Sequence, residues 1–191
     1  MIKKLKSKNI QKSVKTFLKL PQKAQELIWT IASDYTTYRW FLENYYVNEA
    51  DLEELSAAEL VFKIAFDFYC FQKSEPYMNQ MDNPISILPV ELIISQQGLK
   101  QKESIDINGK KYIIDFAFNV DEEELKARAK NARIIIECSE HENSQQRQLA
   151  FLSAGYDVIH INHNQIYNNS IDCAKKVHAL IESRLKENWR S

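Results

Sequence analysis

Apolar residues along this chain change their period near residue 80. Before it they recur at spacings of three and four; after it they alternate or cluster in short runs. Pro21 is placed to open a helix through Ala24, Leu27, Ile28 and Ile31. Trp40, Phe41, Tyr45 and Tyr46 continue an aromatic stripe on that helix or its successor. A second helix is predicted from Asp51 to about Phe71, with Leu52, Leu55, Leu60, Ile64, Ala65 and Phe68 inward. The stretch from Lys73 to Pro84, with Pro76 inside it, reads as a loop and as a boundary. It separates an α-helical N-terminal region, 1–80, from a second domain, 85–191.

In the second domain a helix over 85–97 carries Ile87, Leu88, Val90, Leu92, Ile93 and Ile94, with Glu91 embedded in it. Pro89 marks an alternative start, and Gly98 the stop. Asn108-Gly109 lies between Ile105-Asp106-Ile107 and Tyr112-Ile113-Ile114, the signature of a β-hairpin with a type I′ turn. The run from Asp121 to Lys130 reads as a solvated helix with spaced opposite charges. Ile134-Ile135-Ile136 is a third strand, and Gln146, Leu149 and Leu152 give the period of a helix that Gly155 ends. Val158-Ile159-His160-Ile161 is a fourth strand. The last helix, capped near Ser170, places Ile171, Ala174, Val177, Leu180, Ile181 and Leu185 inward. The order α–β–β–β–α–β–α implies an α/β fold: a mixed β-sheet flanked by helices.

Composition alters this picture little. The chain has 191 residues, a formal net charge of −1 and ordinary hydrophobic and charged fractions, so it is no electrostatic sponge for polyanions. Cys70, Cys138 and Cys173 are odd in number and far apart, which argues against a disulfide framework and for a reducing, cytoplasmic setting. The N-terminal lysines precede no apolar signal region, and no run reaches the roughly 20 apolar residues that span a bilayer. No membrane role is expected.

Candidate chemistry sits in two strand-like runs. Ile113-Ile114-Asp115-Phe116-Ala117 and Ile134-Ile135-Ile136-Glu137-Cys138 each set one carboxylate among β-branched and aromatic residues. A carboxylate so placed costs several kcal/mol unless something pairs with it. Alternation puts Ile113, Asp115 and Ala117 on one face, and Ile135, Glu137 and Ser139 on one face of the next strand. On neighbouring strands, Asp115 and Glu137 come within reach of one cation, with the Cys138 carbonyl close by. Hard oxygen donors of this kind suit Mg²⁺ or Mn²⁺, and with them phosphodiester hydrolysis.

Glu91 on a helix, Asp115 in Ile-Asp-Phe-Ala, Glu137 in Ile-Ile-Ile-Glu-Cys, and the stretch from Gln146 to Ile161 with Gly155-Tyr156-Asp157-Val158 resemble the PD-(D/E)xK restriction-endonuclease-like superfamily. The likeness is to its small very-short-patch-repair-like branch and covers roughly 85–187. It implies a restriction-endonuclease-like core and a metal-dependent nuclease acting on nucleic acid, DNA first, through a Mg²⁺-activated water. Asp115, Glu137, Glu91 and the Cys138 carbonyl would serve the metal, and His141 or Arg147 the water or the phosphate. The superfamily's lysine two positions after the Glu is Ser139 here, and the Asp-Gly pair of the branch is absent. The alternative is therefore a catalytically degraded nuclease-fold protein that binds nucleic acid or a protein.

Lys102, Lys110 and Lys111 flank the hairpin turn and could meet a phosphate backbone; a lysine-protected hairpin edge would look the same. Cys138, His141, His160 and His163 form a nominal zinc set, against which stands the place of Cys138 in the sheet core. The aromatic clusters, among them Phe62, Phe66, Phe68 and Tyr69, could stack on bases or fill helix–helix core. The N-terminal helices would position substrate, bind a partner or form a homodimer.

Overall fold

The computed structural model describes residues 18–34, 54–81, 88–120, 132–139 and 145–187. The aromatic stripe at Trp40–Tyr46, the charged run from Asp121 to Lys130, and His141 lie outside the described residues. The chain divides into two compact units, Met1–Ile64 and Ala65–Ser191.

Helix α1 spans Gln22–Asp34. Pro21 starts it by accepting the Ala24 and Gln25 N–H groups at 2.9 and 3.1 Å, and Ala24 and Ile31 are buried. Helix α2 spans Ala57–Ser74. A capping box starts it: Glu59 accepts the Ser56 N–H at 2.8 Å, and Ser56 Oγ accepts the Glu59 N–H at 3.3 Å. Leu60, Phe62, Ile64, Ala65, Phe66 and Phe68 are all buried, so these phenylalanines are core. The expected loop after α2 is in part a 3-10 helix, Glu75–Gln80, with Pro76 in its first turn.

In the larger unit α3, Val90–Gln97, begins where the Pro89 carbonyl accepts the Leu92 and Ile93 N–H groups. Gly98 ends it at φ 62°. Strands β1 (Lys100–Gln101), β2 (Ser104–Ile107), β3 (Lys110–Ile113), β4 (Phe116–Phe118) and β5 (Ile134–Cys138) follow. Then come α4 (Gln145–Ser153), β6 (Asp157–Ile161) and α5 (His163–Glu187). The sheet order is β1-β4-β5-β6, antiparallel except for the parallel β5–β6 pair, and β2–β3 form a separate ribbon. The sheet is thus mixed, with α4 and α5 against β6 and α3 against α5. All five β5 residues are buried, as expected of a strand covered on both faces.

The hairpin turn has Asn108 at φ 54° and Gly109 at φ 79°, the left-handed pair a type I′ turn needs. Beyond it the hairpin departs from one continuous strand pair. The ladder keeps a single register from Ser104↔Ile113 to Lys100↔Ala117, but the backbone bends at Lys102 (φ 50°) opposite Asp115. Across the bend strict alternation fails. Ile114 and Ala117 join one buried cluster with Ile107, Ile135 and Phe151. Ile113, expected to share a face with Ala117, is 66% exposed while Ala117 is buried.

Two helices also differ from expectation. In α4 the buried residue is Phe151, whereas Leu149 and Leu152 are exposed. Helix α5 begins before Ser170, and the expected boundary survives as a kink at Asn169 (φ −145°, ψ 47°). Ala174, Val177, Ile181 and Leu185 point inward as expected, joined by Cys173 and His178. Burial pushes the Cys70 and Cys173 thiols up, and all three cysteines are buried with none in a disulfide.

Candidate functional site

Polar side chains gather where the parallel strands β5 and β6 end. Carboxyl ends of parallel strands are where α/β sheets commonly receive ligands. Glu137 pairs with His160 in register, so the two share one face. They line a cleft of about 180 Å³ with Gln145, Arg147, Gln148, Phe151 and Val158.

Asp115 lies beside this end of β5, at the bend. Its Oδ2 accepts the Cys138 N–H at 2.7 Å, and its Oδ1 pairs with Lys102 Nζ at 3.0 Å. The carboxylate thereby continues the β4–β5 ladder one step past the Phe116↔Ile136 pair, opposite Glu137. The two residues also pair through the backbone, the Asp115 carbonyl accepting the Lys102 N–H at 3.0 Å. Lys102 thus faces Asp115, whereas Lys110 lies over the Tyr112 ring at 4.9 Å and Lys111 is exposed on the ribbon.

Glu137 is the more deeply placed acid, its side chain 6% exposed. Arg147 of α4 donates to its Oε1 from Nη2 at 2.7 Å and from Nε at 3.1 Å. The same guanidinium donates to the Ile113 carbonyl and packs near the Phe151 ring at 5.2 Å. Each carboxylate that the sequence sets among apolar residues therefore has an organic cation against it.

Ser139, at the position where the resemblance calls for lysine, meets His160 Nε2 through its Oγ at 2.6 Å. His163 Nε2 stands 3.3 Å from the Cys138 carbonyl. Neither contact was foreseen, although the parallel pairing of Ile-Ile-Ile-Glu with Val-Ile-His would have placed His160 beside Glu137. Glu91 is held elsewhere, its charge felt by His178 and Lys186 of α5. His178 is itself buried, its ring edge-on to Tyr69 at 5.3 Å. Burial holds its pKa below the ordinary value, with Glu182 and Glu91 opposing.

Mg²⁺ commonly takes one or two protein carboxylates and completes its shell with water and phosphate oxygens. Asp115 and Glu137, at facing positions of adjoining strands, fit that donor set. Lys102 and Cys138 occupy two of the roughly four acceptor sites a carboxylate offers at Asp115. Among the described residues no group of three or more His, Cys, Asp or Glu side chains could hold a metal ion, so the residues do not fit an all-protein cage. Among the described residues no helix is long and apolar enough to cross a membrane. Comparison of the chain with family models, curated proteins and solved structures finds no match.

Proposed function

We propose that the protein is a metal-dependent nuclease with a restriction-endonuclease-like core, hydrolysing phosphodiester bonds of nucleic acid, DNA first. The observation that carries this reading is the Asp115–Lys102 pair at 3.0 Å beside Glu137. It brings an ammonium to the two-carboxylate end of β5, where Ser139 supplies none. Asp115, Glu137 and the Cys138 carbonyl would hold Mg²⁺ or Mn²⁺, which when bound polarises the phosphodiester and balances its developing charge. Lys102 holds Asp115 in place and presents its charge to the scissile phosphate. Arg147 fixes Glu137 and lines the cleft with it. Lys110 and Lys111, on the ribbon, meet the backbone of a longer substrate.

The test is incubation of the purified chain with single-stranded, double-stranded and structured DNA and RNA in Mg²⁺ or Mn²⁺, beside Asp115→Ala, Glu137→Ala and Lys102→Ala. Cleavage that needs the divalent ion and drops about 100-fold or more in the carboxylate variants is expected. No cleavage of any substrate, or cleavage indifferent to both carboxylate variants, refutes it. A second reading, a nuclease fold that only binds, is favoured by the hold of Arg147 and Lys102 on the two acids. Calorimetric Mg²⁺ titration separates the two, since a binding-only protein with both acids neutralised takes up no ion.

A further inference from the structure

We infer that Tyr112 is a positioning residue of this site: its ring holds the Arg147 guanidinium where it orients the Glu137 carboxylate for metal binding. The inference rests on the nuclease reading and adds a residue that the reading leaves out. Arg147 is the link. Its Nε and Nη2 both donate to Glu137 Oε1, at 3.1 and 2.7 Å, so the two bonds fix one oxygen and leave Oε2 outside them. A carboxylate gripped through one oxygen keeps acceptor positions on the other for a hard cation.

Arg147 is itself held from two sides. Its own helix supplies Phe151, one turn on, whose ring centroid lies 5.2 Å from the guanidinium carbon. The β2–β3 ribbon supplies the rest: the Ile113 carbonyl accepts a bond from Nη2, and the Tyr112 ring centroid lies 5.7 Å from the same carbon. Neighbouring residues of β3 thus give one contact through backbone and one through a ring. Tyr112 and Phe151 meet with centroids 5.3 Å apart and planes inclined by 64°, which makes a corner of two aromatic rings. Phe151 is buried in the cluster of Ile107, Ile114 and Ile135, and Tyr112 packs against it, so the corner is anchored in the core. A guanidinium within about 6 Å of a ring centroid is drawn by the ring quadrupole, and its plane can stack there. That attraction offsets the rotamer freedom a long side chain loses when it is fixed. Stacking of a nucleobase on Tyr112 is the weaker use of the ring, because Lys110 also stands over it, at 4.9 Å. The ribbon, which lies outside the main sheet, thereby has a part in the geometry of the second acid.

The test uses the full chain with Tyr112→Leu, Tyr112→Phe and Ile105→Ala. Ile105 pairs with Tyr112 across the ribbon and packs on the same cluster, so its truncation loosens the ribbon while both rings stay in place. Three readouts are taken: single-turnover cleavage of labelled DNA at saturating Mg²⁺, the DNA concentration that half-saturates the rate, and calorimetric Mg²⁺ titration without DNA. Tyr112→Leu is expected to cleave about 10-fold or more slowly at an unchanged half-saturating concentration, and to take up Mg²⁺ more weakly. Tyr112→Phe keeps the ring and is expected within about twofold of wild type on every readout. Ile105→Ala is expected to be less stable to denaturant yet to cleave like wild type. If Tyr112→Leu does not fold, Tyr112→Met, which keeps more of the length, carries the same test. A Tyr112→Leu chain at full rate, beside an inactive Glu137→Ala, overturns the positioning role and leaves the nuclease reading standing. Tighter Mg²⁺ uptake by Tyr112→Leu, equal slowing in Ile105→Ala, or no rescue by Tyr112→Phe overturns the role too. Wild-type protein that cleaves nothing overturns both.

Discussion

Arg147→Met removes a guanidinium while keeping most of its stem, and so leaves Glu137 behind without its cation. Exposed ion pairs are worth about 0–1 kcal/mol, whereas breaking a fully buried pair costs about 3–5 kcal/mol. This pair lies between the limits, with Arg147 25% and Glu137 6% exposed. The group left behind is the buried one, which moves the expectation toward the higher range. Two hydrogen bonds to Oε1 and one to the Ile113 carbonyl disappear as well. Water reaching in past the shortened side chain recovers part of the loss, so a destabilisation of about 2–4 kcal/mol follows. The Lys102–Asp115 pair, 28% and 18% exposed, keeps the Cys138 N–H on Asp115, and Lys102→Met should cost only about 1 kcal/mol. Denaturant unfolding of Arg147→Met, Glu137→Gln and the double variant measures the coupling. If the Arg147→Met cost arises from a stranded charge, Glu137→Gln restores at least about 1.5 kcal/mol in its background. A loss below about 1 kcal/mol for Arg147→Met, or losses that simply add, would refute the assignment of Arg147 as the counter-ion of Glu137.

Two further expectations concern the packing around the site. Burial lowers the pKa of His178 in the folded protein, so the unfolded chain binds its proton first as pH falls. The His178 contribution to stability is whole above about pH 6.5 and is lost as pH drops through the lower folded value. Denaturation midpoints at pH 7.5 and 5.5 should therefore differ less in His178→Asn than in wild type, and an equal difference would sink the attribution. Ser56→Ala removes one half of the capping box of α2 and should cost about 1 kcal/mol by the same unfolding measurement; no change would mean that Glu59 alone secures the helix start.

Much of this architecture can be read from local chemistry. Asn108-Gly109 states its turn, Pro21 and Pro89 state helix starts, and the isoleucine run states a strand buried on both faces. Ser56-Ala57-Ala58-Glu59 states a helix start too, but the apolar spacing that reaches back toward Asp51 masks it. The site is legible in the sequence as residue types, but the hydrogen-bond partners of its two acids are not. Alternation assumes a straight strand, and a positive φ at Lys102, a residue that seldom adopts one, gives no signal in the sequence. Lys102 stands at that bend as the partner of Asp115. Arg147 was foreseen near the phosphate, but its pairing with Glu137 depends on how α4 lies over β5, which Phe151 settles and the outward Leu149 and Leu152 obscure. His160 required knowing which strand runs parallel to β5, a matter of topology that no local pattern carries.

The single register that runs through both parts of the hairpin makes its turn a ruler for a contact far from it. The pairing that puts Ile107 beside Lys110 is the same one that puts Lys102 across from Asp115. Counting outward from Asn108-Gly109, each residue of one arm is assigned its partner on the other, so the two-residue length of the turn selects the cation of the first acid. A turn lengthened by one residue would slide Gln101 or Glu103 into that place, offering Asp115 a neutral amide or a second negative charge. The tip of the hairpin thus decides which charge lies against Asp115, beside the end of β5.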